Sequence, residues 1–292
     1  MTARGIIAAL ALLPALALGC RSAAAETAVE RGAYLVRAGG CIACHTEKGG
    51  DPLAGGRPLE TPFGTFYSPN ITADPATGIG TWSDDDFARA LHEGVRPDGA
   101  RYFPVFPYTS YTLITRDDAL AIKAYLFSLP PVVKARRDHD VPFPFSWRLT
   151  QRGWRMLFFS PETFTHDPAK SAEWNRGAYL VRGLAHCGEC HTPRNIFGAV
   201  DEDMFLGGTA DGPEGELAPN ITPHATGIGD WSDEELLELL ATGTKPDFDN
   251  VQGTMGEAVA DGLSHLTDAD RRAIVTYIRS VPPVDNVAKR AD

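Results

Sequence analysis

The strongest constraint on the fold of this chain is an internal repeat. Residues 30–46, ERGAYLVRAGGCIACHT, return at 175–192 as NRGAYLVRGLAHCGECHT, which is one residue longer. SPNITADPATGIGTWSDDDF (68–87) returns as APNITPHATGIGDWSDEEL (218–236), and TRDDALAIKAYLFSLPPV (115–132) returns as TDADRRAIVTYIRSVPPV (267–284). Each unit covers about 100 residues, which is too long for one repeat of a solenoid. The sequence therefore predicts two homologous domains.

Helix signals dominate both units, and strand signals are almost absent. In the middle of each unit a serine precedes an acidic run and a glycine follows it, which is typical of a capping box and a helix end. The last stretch of each unit carries apolar residues at helical spacing and ends at a double proline. The predicted bounds are Ser83 to Gly94 and Ser232 to Gly243 for the middle helices, and Thr115 to Pro130 and Thr267 to Pro282 for the final helices. We therefore expect an all-α protein.

These patterns predict four parts: a signal peptide at residues 1–25, a first domain at 26–132, a connector at 133–175 and a second domain at 176–292. The connector contains the aromatic stretch VPFPFSWRLTQRGWRMLFF (141–159), so we expect it to pack on a domain. The formal net charge of −11 argues against nucleic acid and anionic membrane surfaces as partners, because both bind basic faces.

The amino-terminal segment is typical of an export signal. Arg4 precedes an apolar run at residues 6–18, and the alanines at 23–25 offer a cleavage site. The tripeptide ending at Cys20 also resembles a lipoprotein processing site, so a lipid anchor at Cys20 is the alternative to simple cleavage. After the signal no apolar run is long enough to form a transmembrane helix. We expect the mature chain in the periplasm, with or without that anchor.

Four cysteines carry the chemistry, and they fall in the two motifs CIACH (41–45) and CGECH (187–191). Disulfides and a zinc site are two interpretations of such pairs in an exported protein. The histidine after each pair favours a third, because a c-type haem is attached through two thioethers and takes the next residue as an iron ligand. The motifs thus predict two covalently bound haem c groups, held by Cys41, Cys44 and His45 in one domain, and by Cys187, Cys190 and His191 in the other.

The sixth iron ligand differs between the repeats. Trp82 aligns with Trp231 at an offset that also aligns Phe106 with Met255. Met255 stands in a stretch predicted to be a loop, and a thioether there would complete the second haem as a stable electron carrier.

Phe106 has no atom that binds iron. Either the first haem has an open or water-filled sixth site, or another side chain such as His92 supplies the bond. Tyr102 and Tyr108 flank the position, but a phenol is a weak ligand for ferrous iron.

The motifs CIACHT, SPNITADPATGIGTWSDDDF, PVFPYTSY and EWNRGAYLVRGLAHCGECHTPRN resemble the cytochrome c subunits of bacterial membrane-bound alcohol, gluconate and aldehyde dehydrogenases. The resemblance covers nearly all of residues 28–284 and implies two tandem class I cytochrome c domains. It also implies that Met255 is a distal ligand. Those subunits commonly have three haem domains, a membrane anchor and a methionine at the position of Phe106. This chain has two haem motifs, a polar carboxyl terminus and phenylalanine.

The resemblance implies a periplasmic dihaem cytochrome that takes electrons from a partner dehydrogenase and passes them to a downstream acceptor of the respiratory chain. An alternative is a haem enzyme, similar to a peroxidase or a thiosulfate dehydrogenase, that uses an open distal site on the first haem. We expect a non-catalytic electron-transfer subunit, because the sequence offers no clear distal acid or base.

Overall fold

The computed structural model describes residues 26–289, so the predicted signal peptide and Cys20 lie outside the described residues. The first domain contains α1 (Ala28–Ala38), α2 (Cys41–His45), β1 (Pro58–Thr61), β2 (Gly64–Tyr67), α3 (Asp84–Glu93), α4 (Tyr108–Tyr111) and α5 (Arg116–Ser128), and the connector contains α6 (Arg148–Phe158). The second domain contains α7 (Ala172–Ala178), a π-helical turn (Tyr179–Leu184), α8 (Gly188–His191), α9 (Asp233–Thr242), α10 (Gly253–Asp261) and α11 (Asp268–Ile278). Short 3₁₀ turns lie at Glu202–Met204, Pro213–Gly215 and Leu263–His265.

The predicted helix signals are confirmed in both domains. α3 begins after Ser83 in a capping box and ends before Gly94, which adopts a left-handed conformation. α9 repeats this arrangement between Ser232 and Gly243. The final helices α5 and α11 begin after threonines whose side chains cap the first turn. Local capping chemistry therefore fixes the helix starts that the sequence shows twice.

The expectation of an all-α protein is wrong at one place. β1 and β2 form an antiparallel hairpin in which Pro58 pairs with Tyr67 and Thr61 with Gly64. The corresponding segment of the second domain holds the single bridge between Thr209 and Ala218. The hairpin lies in a stretch where the two halves of the chain do not repeat, so the repeat could not reveal it.

The first and last helices of each domain cross at a glycine. A Cβ atom built on Gly32 of α1 would lie 1.9 Å from the carbonyl oxygen of Ala121 in α5. Gly177 of α7 has the same relation, also 1.9 Å, to Ala273 in α11. Only glycine allows the two backbones to approach this closely. The crossing brings the amino-terminal helix, and the motif after it, to the same place in both domains.

The additional residue of the second repeat is accommodated as a π-helical turn. α1 ends at Ala38 and two glycines lead into α2. In the second domain α7 continues into the turn Tyr179–Leu184, which lies directly before the cysteine motif. A π turn spans one residue more than an α turn, so the insertion is absorbed within the helix. α7 itself begins at Ala172, before the domain boundary expected at residue 176.

The connector lies against both domains. The backbone N–H and C=O groups of Asp140 pair with those of Thr65 in β2, at 2.9 and 2.8 Å. In α6, Arg155 bonds to the carbonyl of Glu93, and the indole N–H of Trp154 donates to the carbonyl of Phe197 at 2.8 Å. These contacts fix the connector to the hairpin of the first domain and to a loop of the second.

The two domains exchange equivalent hydrogen bonds across their interface. The hydroxyl of Tyr34 in α1 donates to Asp270 at the start of α11, at 2.6 Å. The hydroxyl of Tyr179, the counterpart of Tyr34, donates to Asp118 at the start of α5, at 2.5 Å. Each aspartate also forms an ion pair within its own domain, Asp118 with Arg31 and Asp270 with Arg176. The interface is therefore pseudo-twofold, with the same residue types on both sides.

Candidate cofactor sites

The first cysteine motif forms the short helix α2, which Gly40 opens in a left-handed conformation. The Nδ1 atom of His45 lies 2.9 Å from the carbonyl oxygen of Pro69. A carbonyl can only accept, so Nδ1 carries the proton and Nε2 keeps its lone pair. This tautomer presents Nε2 as a metal ligand, and the bond to Pro69 fixes the ring.

The second motif has the same local design. His191 ends α8, is 8% exposed, and its Nδ1 atom donates to the carbonyl of Pro219 at 2.8 Å. Pro69 and Pro219 occupy equivalent places in the repeat. Both repeats therefore keep the histidine and also the hydrogen bond to a proline carbonyl that orients its ring.

The four thiols are free and poor candidates for a zinc site. Burial raises the pKa of Cys41 and of Cys187 to about 12, so these thiols stay neutral at pH 7. Zinc binds the thiolate form. Within residues 26–289, no group of three or more His, Cys, Asp or Glu side chains is arranged to hold a metal ion. The geometry disfavours the zinc interpretation.

A cavity of about 290 Å³ opens beside the first motif. Cys41, Cys44 and His45 line it together with apolar side chains from α3, α5 and the hairpin. Both thiols and the imidazole thus face one largely apolar space, as covalent attachment of a porphyrin requires. The residues present fit a haem c.

Phe106 lines this cavity, as the alignment with Met255 predicts. Its ring packs edge-on against Tyr102 and Tyr111, with centroids 5.0 and 5.8 Å apart. Among the described lining residues there is no methionine, and His92 is not one of them. Tyr102 lines the cavity, and burial raises its pKa to about 12, which keeps the phenol protonated.

His139 of the connector is the second histidine of this cavity, and no motif or repeat in the sequence indicates its position. Its Nδ1 atom accepts the backbone N–H of Tyr67 at 3.1 Å. Burial lowers the pKa of His139 to about 4, with nearby arginines adding to the effect. The ring is therefore neutral and carries its proton on Nε2, so in this arrangement it has no free lone pair for iron.

Met255 lies in a helix, whereas the sequence predicts a loop. It is the third residue of α10 and is half-buried. α10 packs against α9 of its own domain and also against α2 of the first domain. The helix thus lies between the second domain and the first cysteine motif.

Asn70 and its counterpart Asn220 pin loops. The amide of Asn70 donates to the carbonyl of Val132 at 2.7 Å, and its oxygen accepts from Thr72. Asn220 does the same with Val284 and Thr222. These bonds tie the end of each domain to the loop that carries the proline partner of the histidine. Both asparagines therefore have a loop-pinning role, and Asn70 also lines the first cavity.

The second cysteine motif lies at the domain interface, against the first domain. The carboxylate of Glu189, inside the second motif, accepts hydrogen bonds from Thr109 and Ser110 of the first domain, both at 2.8 Å. The ring of His186 packs against Tyr111 of the first domain, with centroids 5.4 Å apart. These contacts join the second motif to the loop that carries Phe106.

Thiols of the two motifs are close enough to interact. Burial raises the pKa of Cys190 to about 12, and Glu189, Cys187 and Cys44 of the first domain add to the effect. Arg57 joins the first motif to the second domain. It donates to the carbonyl of Ala43 at 2.9 Å and to Glu257 of α10 at 2.5 Å. The sequence contains no signal for these contacts, because they join residues that are distant in the chain.

The cytochrome c family profile matches residues 29–130 and 175–282. The chain therefore belongs to the cytochrome c family, and it binds two covalent haem c groups. A diheme cytochrome c-type protein of Cereibacter sphaeroides is 42% identical over 261 residues, covering 87% of this chain and 86% of the relative.

Two further relatives are named as parts of dehydrogenases. The gluconate 2-dehydrogenase cytochrome c subunit of Pantoea cypripedii is 40% identical over 291 residues, covering 93% of this chain and 65% of the relative. A nicotinate dehydrogenase subunit of Pseudomonas putida is 43% identical over 255 residues, covering 87% of this chain and 21% of the relative. The chain thus spans only part of these two proteins. Their names favour electron transfer over a haem enzyme.

Proposed function

We propose that this protein is a periplasmic dihaem cytochrome that carries electrons from a partner dehydrogenase to an acceptor of the respiratory chain. Haem 1 is attached at Cys41 and Cys44 with His45 as iron ligand. Haem 2 is attached at Cys187 and Cys190 and has two protein ligands, His191 and Met255. The haem irons supply the one-electron oxidation and reduction, and the protein supplies position, burial and electrostatics.

The observation that carries this proposal is that each cysteine motif is held against the other domain at their interface. Glu189, within the second motif, is bonded to Thr109 and Ser110 beside Phe106. Arg57 links the first motif to α10, which carries Met255. A chain that binds two haems independently has no need to fix each attachment helix against the other domain. A relay does, because electron exchange requires a short and constant separation.

The histidine–proline hydrogen bonds define what the chain does for each iron. Donation from Nδ1 of His45 to Pro69, and from His191 to its proline, gives the ligand imidazole partial anionic character and prevents rotation. The geometry around the iron then changes little between oxidation states. Small reorganisation is what an electron carrier needs.

An exposed apolar surface lies next to the first cavity and fits a protein partner. Phe145 of the connector packs on Phe63 of the hairpin, with centroids 5.0 Å apart, and Phe158 of α6 stacks on Phe197 at 5.9 Å. Arg148, the first residue of α6, lines the cavity itself. The large exposed side chains of this surface are Phe143, Phe145, Trp147, Leu149, Met156, Leu157, Ile196 and Phe197.

The composition of this surface indicates its partner. Residues 141–159 contain three arginines and no acidic residue, in a chain whose net charge is −11. Exposed aromatic residues, methionine and arginine are the residue types enriched at protein interfaces. We assign the surface to the catalytic subunit of the dehydrogenase, whose matching face would have an apolar centre and an acidic edge. Docking there would bring the electron donor next to haem 1.

Location and acceptor rest on the sequence. The export signal predicts the periplasm, and lipidation at Cys20 would hold the protein at a membrane. Across residues 26–289, no helix has the length and apolar character needed to cross a bilayer. The acceptor is a component of the respiratory chain.

Site-specific photocrosslinking in the organism that encodes this chain tests the partner. A photoreactive amino acid replaces Met156, which is 83% exposed, and in a control it replaces Phe248, which is 90% exposed in the second domain. We expect Met156, and not Phe248, to capture a dehydrogenase subunit whose substrate then reduces the haems. Capture of a second copy, or no capture by a fully haem-loaded protein, would contradict the proposal.

A further inference from the structure

The connector closes the first cavity with positive charge. Arg136, His139 and Arg148 of the connector segment line it, together with Arg96 of the first domain. The pairing of Asp140 with β2 and the bond from Tyr67 to His139 hold this segment in place. Among the described residues that line the cavity there is no Asp, Glu or Lys, so the three arginines are the charged side chains of its lining. The lining is apolar with three cations and no carboxylate.

The three cations are incompletely neutralised by the protein. Arg96 and Arg136 each pair with an exposed aspartate, at 2.9 and 3.5 Å. Arg148 has no carboxylate partner within the described residues; it donates to the carbonyl of Arg101 at 2.5 Å and lies over the ring of Phe103. Burial lowers the pKa of Arg148, and the charges of Arg96 and Arg136 lower it further. Gathering like charges in a half-buried site costs free energy unless an anion joins them.

We propose that Arg148 and Arg136 of the connector, with Arg96, bind the propionate carboxylates of haem 1. A haem c is an apolar macrocycle with two carboxylates, and an apolar cavity with several arginines matches both features. Arginine is suited to this contact because its planar fork binds a carboxylate through two parallel hydrogen bonds. The inference rests on the proposed function, since it presupposes a haem at Cys41 and Cys44.

The connector is then a part of the first haem site and has a role in its chemistry. When one electron from the dehydrogenase reduces ferric haem 1 to ferrous, the iron loses one positive charge and no bond is formed or broken. Cations that balance the propionates favour the reduced form, so they raise the reduction potential. In the second domain Lys245 replaces Arg96 and pairs with Asp247 and Asp249. The rise in the haem 1 reduction potential that the arginines cause compensates in part for the absence of a methionine at position 106.

Substitution of the connector arginine in the haem-loaded protein tests the inference. For Arg148→Gln we expect the midpoint potential of haem 1 to fall. At the midpoint of the unmodified protein the ratio of reduced to oxidised haem 1 should drop about tenfold, which corresponds to a 59 mV lower potential for one electron. Haem 2 should be unchanged. Arg152→Gln is the matched control, because Arg152 lies in the same helix, is exposed and does not line the cavity. Spectroelectrochemical titration measures both midpoints, and resonance Raman spectroscopy detects a change in the propionate modes.

The outcomes that would overturn this inference differ from the outcome that would remove the proposed function. An unchanged haem 1 midpoint and unchanged propionate modes in Arg148→Gln and Arg136→Gln would overturn it, even if both haems are present and the dehydrogenase still reduces them. Equal shifts at both haems would also overturn it, because they would indicate a distant charge effect. If Arg148→Gln does not fold, Arg148→Lys keeps the charge and should retain the midpoint while changing the propionate modes. Absence of one haem from the unmodified protein would instead remove the proposed function.

Discussion

The first and second domains share the residues that attach a haem and differ in the residues on the distal side of the iron. Both have the glycine helix crossing, the asparagine pin and the histidine–proline hydrogen bond. They differ at Phe106 against Met255, and arginines of the connector line the cavity of the first domain. Since attachment tolerates little change, the duplication has kept it. The distal residue and nearby charge tune potential, and there the two copies have diverged.

The largest effect is expected when the methionine is removed from the second domain. Met255→Ala should lower the potential of haem 2 by on the order of 0.2 V, within the roughly 0.8 V over which axial ligands set haem potentials. It should also produce a high-spin signal in magnetic circular dichroism. Phe106→Ala is the control and should leave the spin state of haem 1 unchanged. A low-spin haem 2 in Met255→Ala would show that Met255 is not its ligand.

A smaller effect is expected when the first domain is made to resemble the second. Phe106→Met places a thioether in the first cavity, where Phe106 now packs on Tyr102 and Tyr111. We expect a higher haem 1 potential and a shift towards low spin, because sulfur favours ferrous iron. Redox titration and magnetic circular dichroism measure both. If neither haem changes, our account of the distal face of the first domain is wrong.

The smallest effect is expected at the interface, where the two domains are almost equivalent. Tyr179→Phe leaves buried Asp118 short of one hydrogen bond, and we expect a loss of about 1.5–3 kcal/mol of unfolding free energy, the range for bonds to charged groups. Tyr34→Phe should cost less, because Tyr34 is half-buried and Asp270 is less enclosed. Chemical denaturation measures both. Tyr125→Phe is the control, since its hydroxyl has no hydrogen-bond partner among residues 26–289, and equal losses in all three variants would refute the exchange.

The sequence predicted the parts of the molecule that are encoded locally. Serine and threonine caps, glycine stops and the two CxxCH motifs lie within a few residues of the structure they determine. The hairpin Pro58–Tyr67 was not predicted, because it falls outside the repeat. Met255 was predicted in a loop between the middle and final helices, whereas the structure has α10 there, packed against α9 and α2.

The site around the cofactors was predicted less completely, because much of it joins distant residues. Cys41, His45 and Phe106 could be assigned to one cavity from the motif and the repeat. His139 and Arg148 could not, since the connector has no counterpart in the other half of the chain. The junction of Glu189 with Thr109 depends on how two separate domains meet. Such a contact leaves no periodic or motif signal in one sequence.

The exchange of Tyr34 and Tyr179 between domains has the form of a homodimer contact in which each subunit gives the other the same side chain. Joining the two copies in one chain makes their association intramolecular, with an effective concentration set by the joining segment and independent of how dilute the protein is. Dissociation into single-haem halves is thereby prevented, and the distance an electron must cross stays the same in a crowded cell and in a dilute extract.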